Sequence, residues 1–132
     1  MSPATAVPSP ASKTILVVED DDMLREVLER ILQRSGFAVL GAEHGAAAIE
    51  CFRAAPIDLV VTDMEMPQSD GFELIAALLR ERPDVAIIAI SGAERVLRDP
   101  HAVERLGIRM LLEKPVSGPD LVEAVRRTLA PS

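Results

Sequence analysis

The stretch Asp58-Leu59-Val60-Val61-Thr62-Asp63-Met64-Glu65-Met66-Pro67 decides how this chain is read. Leu59 to Thr62 is short, free of charge and rich in β-branched residues. That pattern suits a strand buried on both faces of a parallel sheet. The run ends in a carboxylate, Asp63, and passes into a turn. Open α/β sheets bind their ligands just beyond the carboxyl ends of their strands. Asp63 is therefore the leading candidate for a functional residue.

Working back from this strand, Pro56 forces a break before it, and Ala46 to Ala54 reads as a helix with Ala48, Ile49 and Phe52 inward. Phe37 to Leu40 reads as a strand. Leu24, Val27, Leu28, Ile31 and Leu32 follow helical spacing, with Asp21 or Asp22 as the cap and Gly36 closing the helix in a left-handed conformation. Thr14 to Val18 (TILVV) is another buried strand and ends in Glu19-Asp20-Asp21-Asp22. Met1 to Ser12 is rich in Pro, Ser and Ala, has no apolar period, and reads as a disordered tail.

Working forward, Gln68-Ser69-Asp70-Gly71 is a turn cluster. A helix from about Phe72 to Arg82 follows, with Phe72, Ile75, Leu78 and Leu79 inward. Val85 to Ile90 (VAIIAI) is a buried strand ending at Ser91-Gly92. Gly92 to Arg98 is expected to be a loop, partly wound. Asp99-Pro100 then reads as the cap and first residue of a short helix closed by Gly107. Arg109 to Leu112 is the fifth strand and leads to Glu113-Lys114-Pro115. Ser117 caps a last helix carrying Leu121, Val122, Val125 and Leu129.

Strand and helix thus alternate five times. Right-handed crossovers place helices on both faces of one parallel sheet. The expected architecture is a doubly wound, flavodoxin-like α/β domain over residues 13–130, with strand order 2-1-3-4-5. In that order four groups converge at one edge: Glu19 with Asp20, Asp63, Ser91 and Lys114.

Composition excludes several roles. The chain has 132 residues, 48% apolar and 2% aromatic, with a formal charge of −7. An acidic chain lacks the basic face that nucleic acid requires. A lone Cys51 excludes an internal disulfide and fits a reducing compartment. No apolar run approaches the roughly 20 residues that span a bilayer, and no secretion pattern opens the chain. A cytoplasmic protein is expected. Cys51 reads as a small, partly buried side chain, His44 and His101 as surface or capping residues, and Met64, Met66 and Met110 as packing.

Gathered carboxylates repel one another unless one is protonated or a cation enters. An all-oxygen site with room for water suits Mg²⁺. Asp20 and Asp63 are the expected direct ligands, with Glu19 acting through water and the Glu65 backbone carbonyl as a further oxygen. A carboxylate beside Mg²⁺ and an ammonium can act as a nucleophile toward a phosphoryl group, giving an aspartyl phosphate. Lys114 and the metal would spread the charge on the phosphoryl oxygens, and the Ser91 hydroxyl would donate to the product.

LVVED with Glu19 and Asp20, DLVVTDMEMP with Asp63, IIAISG with Ser91 and LLEKP with Lys114 and Pro115, in this order and at these strand ends, resemble the receiver domain of bacterial two-component response regulators (CheY-like). The likeness covers about Lys13 to Leu129. It implies that Asp63 accepts a phosphoryl group from a phosphohistidine on a sensor histidine kinase or a histidine phosphotransfer protein. It implies a non-enzymatic phosphoacceptor that assists only its own phosphorylation and dephosphorylation, and a cis Lys114-Pro115 bond. It also implies a switch in which Ser91 and a strand-five aromatic move toward the phosphoryl group, altering the face of helix four, strand five and helix five toward an unspecified downstream partner.

Three positions depart from the family pattern, one of them Gln68 in the turn after Pro67, where many relatives have Gly. The strand-five switch position is Leu111, which has no ring to swing. Glu65 places an acid two residues past Asp63, where its side chain is expected to reach solvent near the phosphoryl group and to alter dephosphorylation or metal affinity. A degenerate receiver serving as a phosphorylation-independent scaffold is the alternative. A phosphatase of the haloacid-dehalogenase type fits less well, because that class carries Asp-x-Asp on its first strand. No output domain follows Ser132, so a stand-alone receiver and a piece of a longer protein are both expected possibilities.

Overall fold

The computed structural model describes residues 12–67 and 69–130. The expected N-terminal tail, Ser12 apart, and Gln68 lie outside the described residues. The elements are β1 (Thr14–Val18), α1 (Asp22–Arg34), β2 (Ala38–Ala42), α2 (Gly45–Ala54), β3 (Leu59–Asp63), β4 (Glu65–Met66), β5 (Ser69–Asp70), α3 (Gly71–Glu81), β6 (Ala86–Ser91), α4 (Glu94–Leu97), α5 (Ala102–Leu106), β7 (Met110–Glu113) and α6 (Gly118–Leu129).

The main sheet has five parallel strands in the order β2-β1-β3-β6-β7. The main strands lie in the spatial order expected, but chain numbering differs because a two-residue antiparallel hairpin, β4-β5, intervenes after β3. Nothing in the sequence period announces so short a ladder.

Strand alternation builds the two layers. Leu16, Val18, Val60, Ile87 and Ala89 face one side and pack with Ala48, Phe52, Leu74, Ile75 and Leu78 from α2 and α3. Their neighbours Ile15, Val17, Leu59, Val61, Ile88 and Ile90 face the other side and pack with Leu28, Leu32, Leu121, Ala124 and Val125 from α1 and α6. With so few aromatics, branched aliphatic side chains fill both cores. Burial on both faces explains why β3 and β6 read as unbroken apolar runs.

Several sequence expectations need correction. Phe72, expected inward, is 38% exposed; Leu74 is buried in its place. Leu24 and Val27 share the apolar stripe of α1 but remain exposed, so only Leu28 and Leu32 of that helix reach the core. The segment after Gly92, expected to be a partly wound loop, is wound over Glu94–Leu97 as the short α4. Asp99 does not cap a helix at Pro100. Its carboxylate accepts from the His101 N–H at 2.9 Å and pairs with Arg105 at 2.6 Å, which makes a turn and delays α5 to Ala102. Gly107 closes α5 at φ 75°, in the left-handed region that favours glycine. His44 caps α2 through Nδ1, which accepts from the Ala47 N–H at 3.0 Å.

Candidate functional site

The carboxyl ends of β1, β3, β6 and β7 meet at one edge, and their order in the sheet sets which groups can touch. β3 lies between β1 and β6, so Asp63 stands between the acids that follow β1 and the donors that follow β6 and β7. Glu19 and Asp63 are each 5% exposed and Ser91 is fully buried. These are the polar groups that an α/β core tolerates only when each finds a partner.

On one side, Glu19, Asp20 and Asp63 each offer a carboxylate oxygen within 4.8 Å of the others. Burial, helped by the neighbouring carboxylates of Asp20 and Asp63, pushes Glu19 up to about 7, although the Asp21 N–H opposes this. That N–H reaches Glu19 Oε2 at 3.0 Å. Arg25 is committed elsewhere: it donates to the Glu19 backbone carbonyl at 2.8 Å and to Asp22 at 2.6 Å. Three hard oxygen donors on one rim, Glu19 and Asp63 buried and Asp20 exposed, in mutual repulsion, fit Mg²⁺.

On the other side, Lys114 Nζ lies 2.7 Å from Asp63 Oδ1 and 3.3 Å from Glu65 Oε1. Burial alone would lower the lysine, but Asp63 and Glu65 outweigh it and hold its pKa above the usual ammonium range. The Lys114 N–H donates to the Ser91 carbonyl at 3.0 Å, which fixes the base of the lysine against the end of β6. The peptide bond that follows, Lys114–Pro115, is cis.

Glu65 does not simply reach solvent. Its carboxylate turns back into the pocket, where Oε2 accepts from the Ser91 hydroxyl at 2.7 Å and Oε1 from the Gly92 N–H at 2.8 Å. Burial opposes its charge, yet the Gly92 N–H, the Ser91 hydroxyl and Lys114 together hold its pKa below the usual carboxylate range. Its own N–H donates to Asp63 Oδ1 at 2.9 Å. Gly92 was not anticipated, because a backbone N–H leaves no side-chain signature. Gly71 also matters to the placement: a Cβ there would lie 2.8 Å from the Met64 backbone, so α3 starts close against the turn that carries Glu65. Leu111 pairs in register with Ala89, is half-buried, and packs against the α2–α3 core.

A sequence profile described as the response regulator receiver domain matches residues 15–126. The chain belongs to the response regulator receiver domain family. It is 33% identical over 117 residues to the response regulator receiver protein CpdR of Brucella abortus (strain 2308), covering 89% of this chain and 97% of that protein. It is 37% identical over 127 residues to the transcriptional regulatory protein FixJ of Azorhizobium caulinodans, covering 93% of this chain but 58% of FixJ. The chain thus spans nearly all of one curated relative and little more than half of another. Among solved structures, it resembles the response regulator protein TrrA of Thermotoga maritima in complex with Mg²⁺-BeF, with TM-score 0.78, 30% identity, and coverage of 89% and 99% of the two chains. Receiver domains are signalling modules rather than enzymes in the ordinary sense, and the present chain is one of them. No helix among the described residues is long and apolar enough to cross a membrane.

Proposed function

We propose that this receiver domain, residues 13–130, is a phosphoacceptor in which Asp63 takes a phosphoryl group from a phosphohistidine. The donor is a sensor histidine kinase or a histidine phosphotransfer protein. The observation that carries this reading is the 2.7 Å contact between Lys114 Nζ and Asp63 Oδ1 on the rim that also holds Glu19 and Asp20. An Asp63 oxygen attacks phosphorus, the P–N bond breaks, and the departing imidazole keeps the electron pair and takes up a proton. A carboxylate has no proton to give up, so the step needs no general base.

Lys114 offsets charge on the transferring oxygens, and the Ser91 hydroxyl and Gly92 N–H supply hydrogen bonds to them. Asp20 and Asp63 would hold Mg²⁺ directly, Glu19 through water, and the Glu65 backbone carbonyl would complete the protein oxygens. When bound, Mg²⁺ supplies positive charge to the phosphoryl oxygens and relieves repulsion among the acids.

The aspartyl phosphate then biases the face formed by α4, α5, β7 and α6 toward a downstream protein. Because Leu111 is half-buried against the core and carries no ring, Ser91 and the segment after it carry the response. A cytoplasmic location, with neither nucleic-acid binding nor membrane insertion by this domain, fits the acidic charge and the single cysteine.

The test is intact mass spectrometry after incubation with Mg²⁺ and acetyl phosphate. The expected result is a labile single phosphoryl adduct, absent in Asp63→Asn. Persistent absence of any adduct, or an adduct that survives Asp63→Asn, would overturn this assignment.

A further inference from the structure

Glu65 holds the donors at the ends of β6 and β7 through a single carboxylate. Three groups converge on its carboxylate: the Ser91 hydroxyl at 2.7 Å, the Gly92 N–H at 2.8 Å and Lys114 Nζ at 3.3 Å. A hydroxyl, a backbone N–H and an ammonium aimed at one point form a receptor for an oxyanion. Lys114 simultaneously holds Asp63 Oδ1, so the Glu65 carboxylate lies next to the proposed phosphoryl acceptor and on the donors a phosphoryl group would use. Ser91 is fully buried, so its hydroxyl must find partners; here it donates to Glu65 and accepts from the Ala93 N–H at 3.0 Å.

We propose that Glu65 is a resident anion of this pocket: its carboxylate fills the phosphoryl-oxygen subsite of the unphosphorylated protein and must swing out before a phosphoryl anion can enter. The inference deepens the phosphoacceptor reading and rests on it. The same three donors cannot fully serve a carboxylate and a phosphoryl group at once, and two anions sharing them repel. Release is feasible without unfolding. Glu65 lies on the short β4-β5 hairpin beside the main sheet, and its side chain is 38% exposed, so rotation about its own side-chain bonds delivers the carboxylate to water. Ser91, in consequence, is already drawn toward the pocket before any phosphoryl group arrives.

Two measurements on the full chain with Mg²⁺ test this, using the parent, Glu65→Gln and Glu65→Ala, each checked for an unchanged thermal melt. The first is titration with beryllofluoride, which adds to an aspartate carboxylate as a phosphoryl mimic, followed by ¹⁹F NMR. Glu65→Ala is expected to bind at least about tenfold more tightly than the parent, and Glu65→Gln to move in the same direction. Equal or weaker binding in both variants, or a gain in Glu65→Ala alone, would overturn the proposal. Failure of all three proteins to form an adduct would instead overturn the phosphoacceptor reading and the inference with it. The second is the Gly92 amide resonance without beryllofluoride. It is expected to carry the downfield shift of a charge-assisted hydrogen bond in the parent and to lose it in Glu65→Ala. The same resonance in both would overturn the proposal however phosphorylation turns out.

Discussion

Glu19, Asp20 and Asp63 lie at the carboxyl ends of β1 and β3, whereas Ser91, Gly92 and Lys114 lie at those of β6 and β7. The first group gathers acids that crowd one another, and burial among them pushes Glu19 up to about 7. The second group gathers donors, and each has an acid within reach, Glu65 for all three and Asp63 for Lys114 as well. One end of the pocket therefore concentrates negative charge, while at the other a carboxylate of the chain lies on the donors. The difference teaches that a pocket for a charged ligand need not be equally prepared at both ends. Asp63 belongs to the first group and pairs with Lys114 of the second, so the comparison hinges on it.

The largest expected effect removes that hinge. Asp63→Asn should abolish the acetyl phosphate adduct in the intact mass while leaving far-UV circular dichroism unchanged; a retained adduct would place the acceptor elsewhere. Next, Lys114→Ala leaves two carboxylates facing each other across an empty position. The rate of adduct formation should fall by about a hundredfold or more, in line with the loss of one preorganised charge at a transition state. A rate within about threefold of the parent would mean that the donor end contributes little.

Glu19→Gln tests the acidic end alone. Magnesium affinity by calorimetry should weaken by about tenfold, as for a residue acting on the metal through water. Stability should move the other way in the metal-free protein. The folded-state pKa of Glu19 lies at about 7, above the ordinary 4.5. Its neutral form therefore stabilises the fold fully below that ordinary value, and the contribution is lost as pH rises through 7. The parent should lose more Tm than Glu19→Gln between about pH 5 and about pH 8, and Mg²⁺ should narrow the gap. Parallel pH profiles would show that the acids are not in conflict. The smallest effect lies outside both ends. Ser117 accepts from the Asp120 N–H at 3.1 Å and caps α6. Ser117→Ala should cost about 1 kcal/mol in denaturant unfolding and leave adduct formation untouched. A changed adduct rate would show that the pocket depends on the outer helix.

Much of this was legible because it rests on period and punctuation. Unbroken apolar runs at 59–62 and 85–90 announced strands covered on both faces, and the helical spacing of Leu28 and Leu32 announced a covering helix. The spacing misled at Phe72, Leu24 and Val27, because an apolar stripe shows which side of a helix is greasy but not how far the neighbouring layer extends. Asp99-Pro100 carried the chemistry of a cap but was used for a turn, since both uses need the same carboxylate accepting from a nearby N–H. The β4-β5 hairpin, two residues per strand, is too short to have a period at all.

The sequence by itself determined that strands alternate with helices, and that carboxylates, a serine and a lysine close four of those strands, because each of these facts is local in the chain. Only the tertiary structure decided where the Glu65 carboxylate goes. Its partners are the last residue of β6, the residue after it and the residue after β7, and they reach it only once the parallel sheet has set those strand ends beside the turn after β3. A side chain pointing to water and one pointing into a pocket have the same neighbours in sequence. What separates them is whether donors from distant segments, held in place by the sheet, outweigh hydration of the charge.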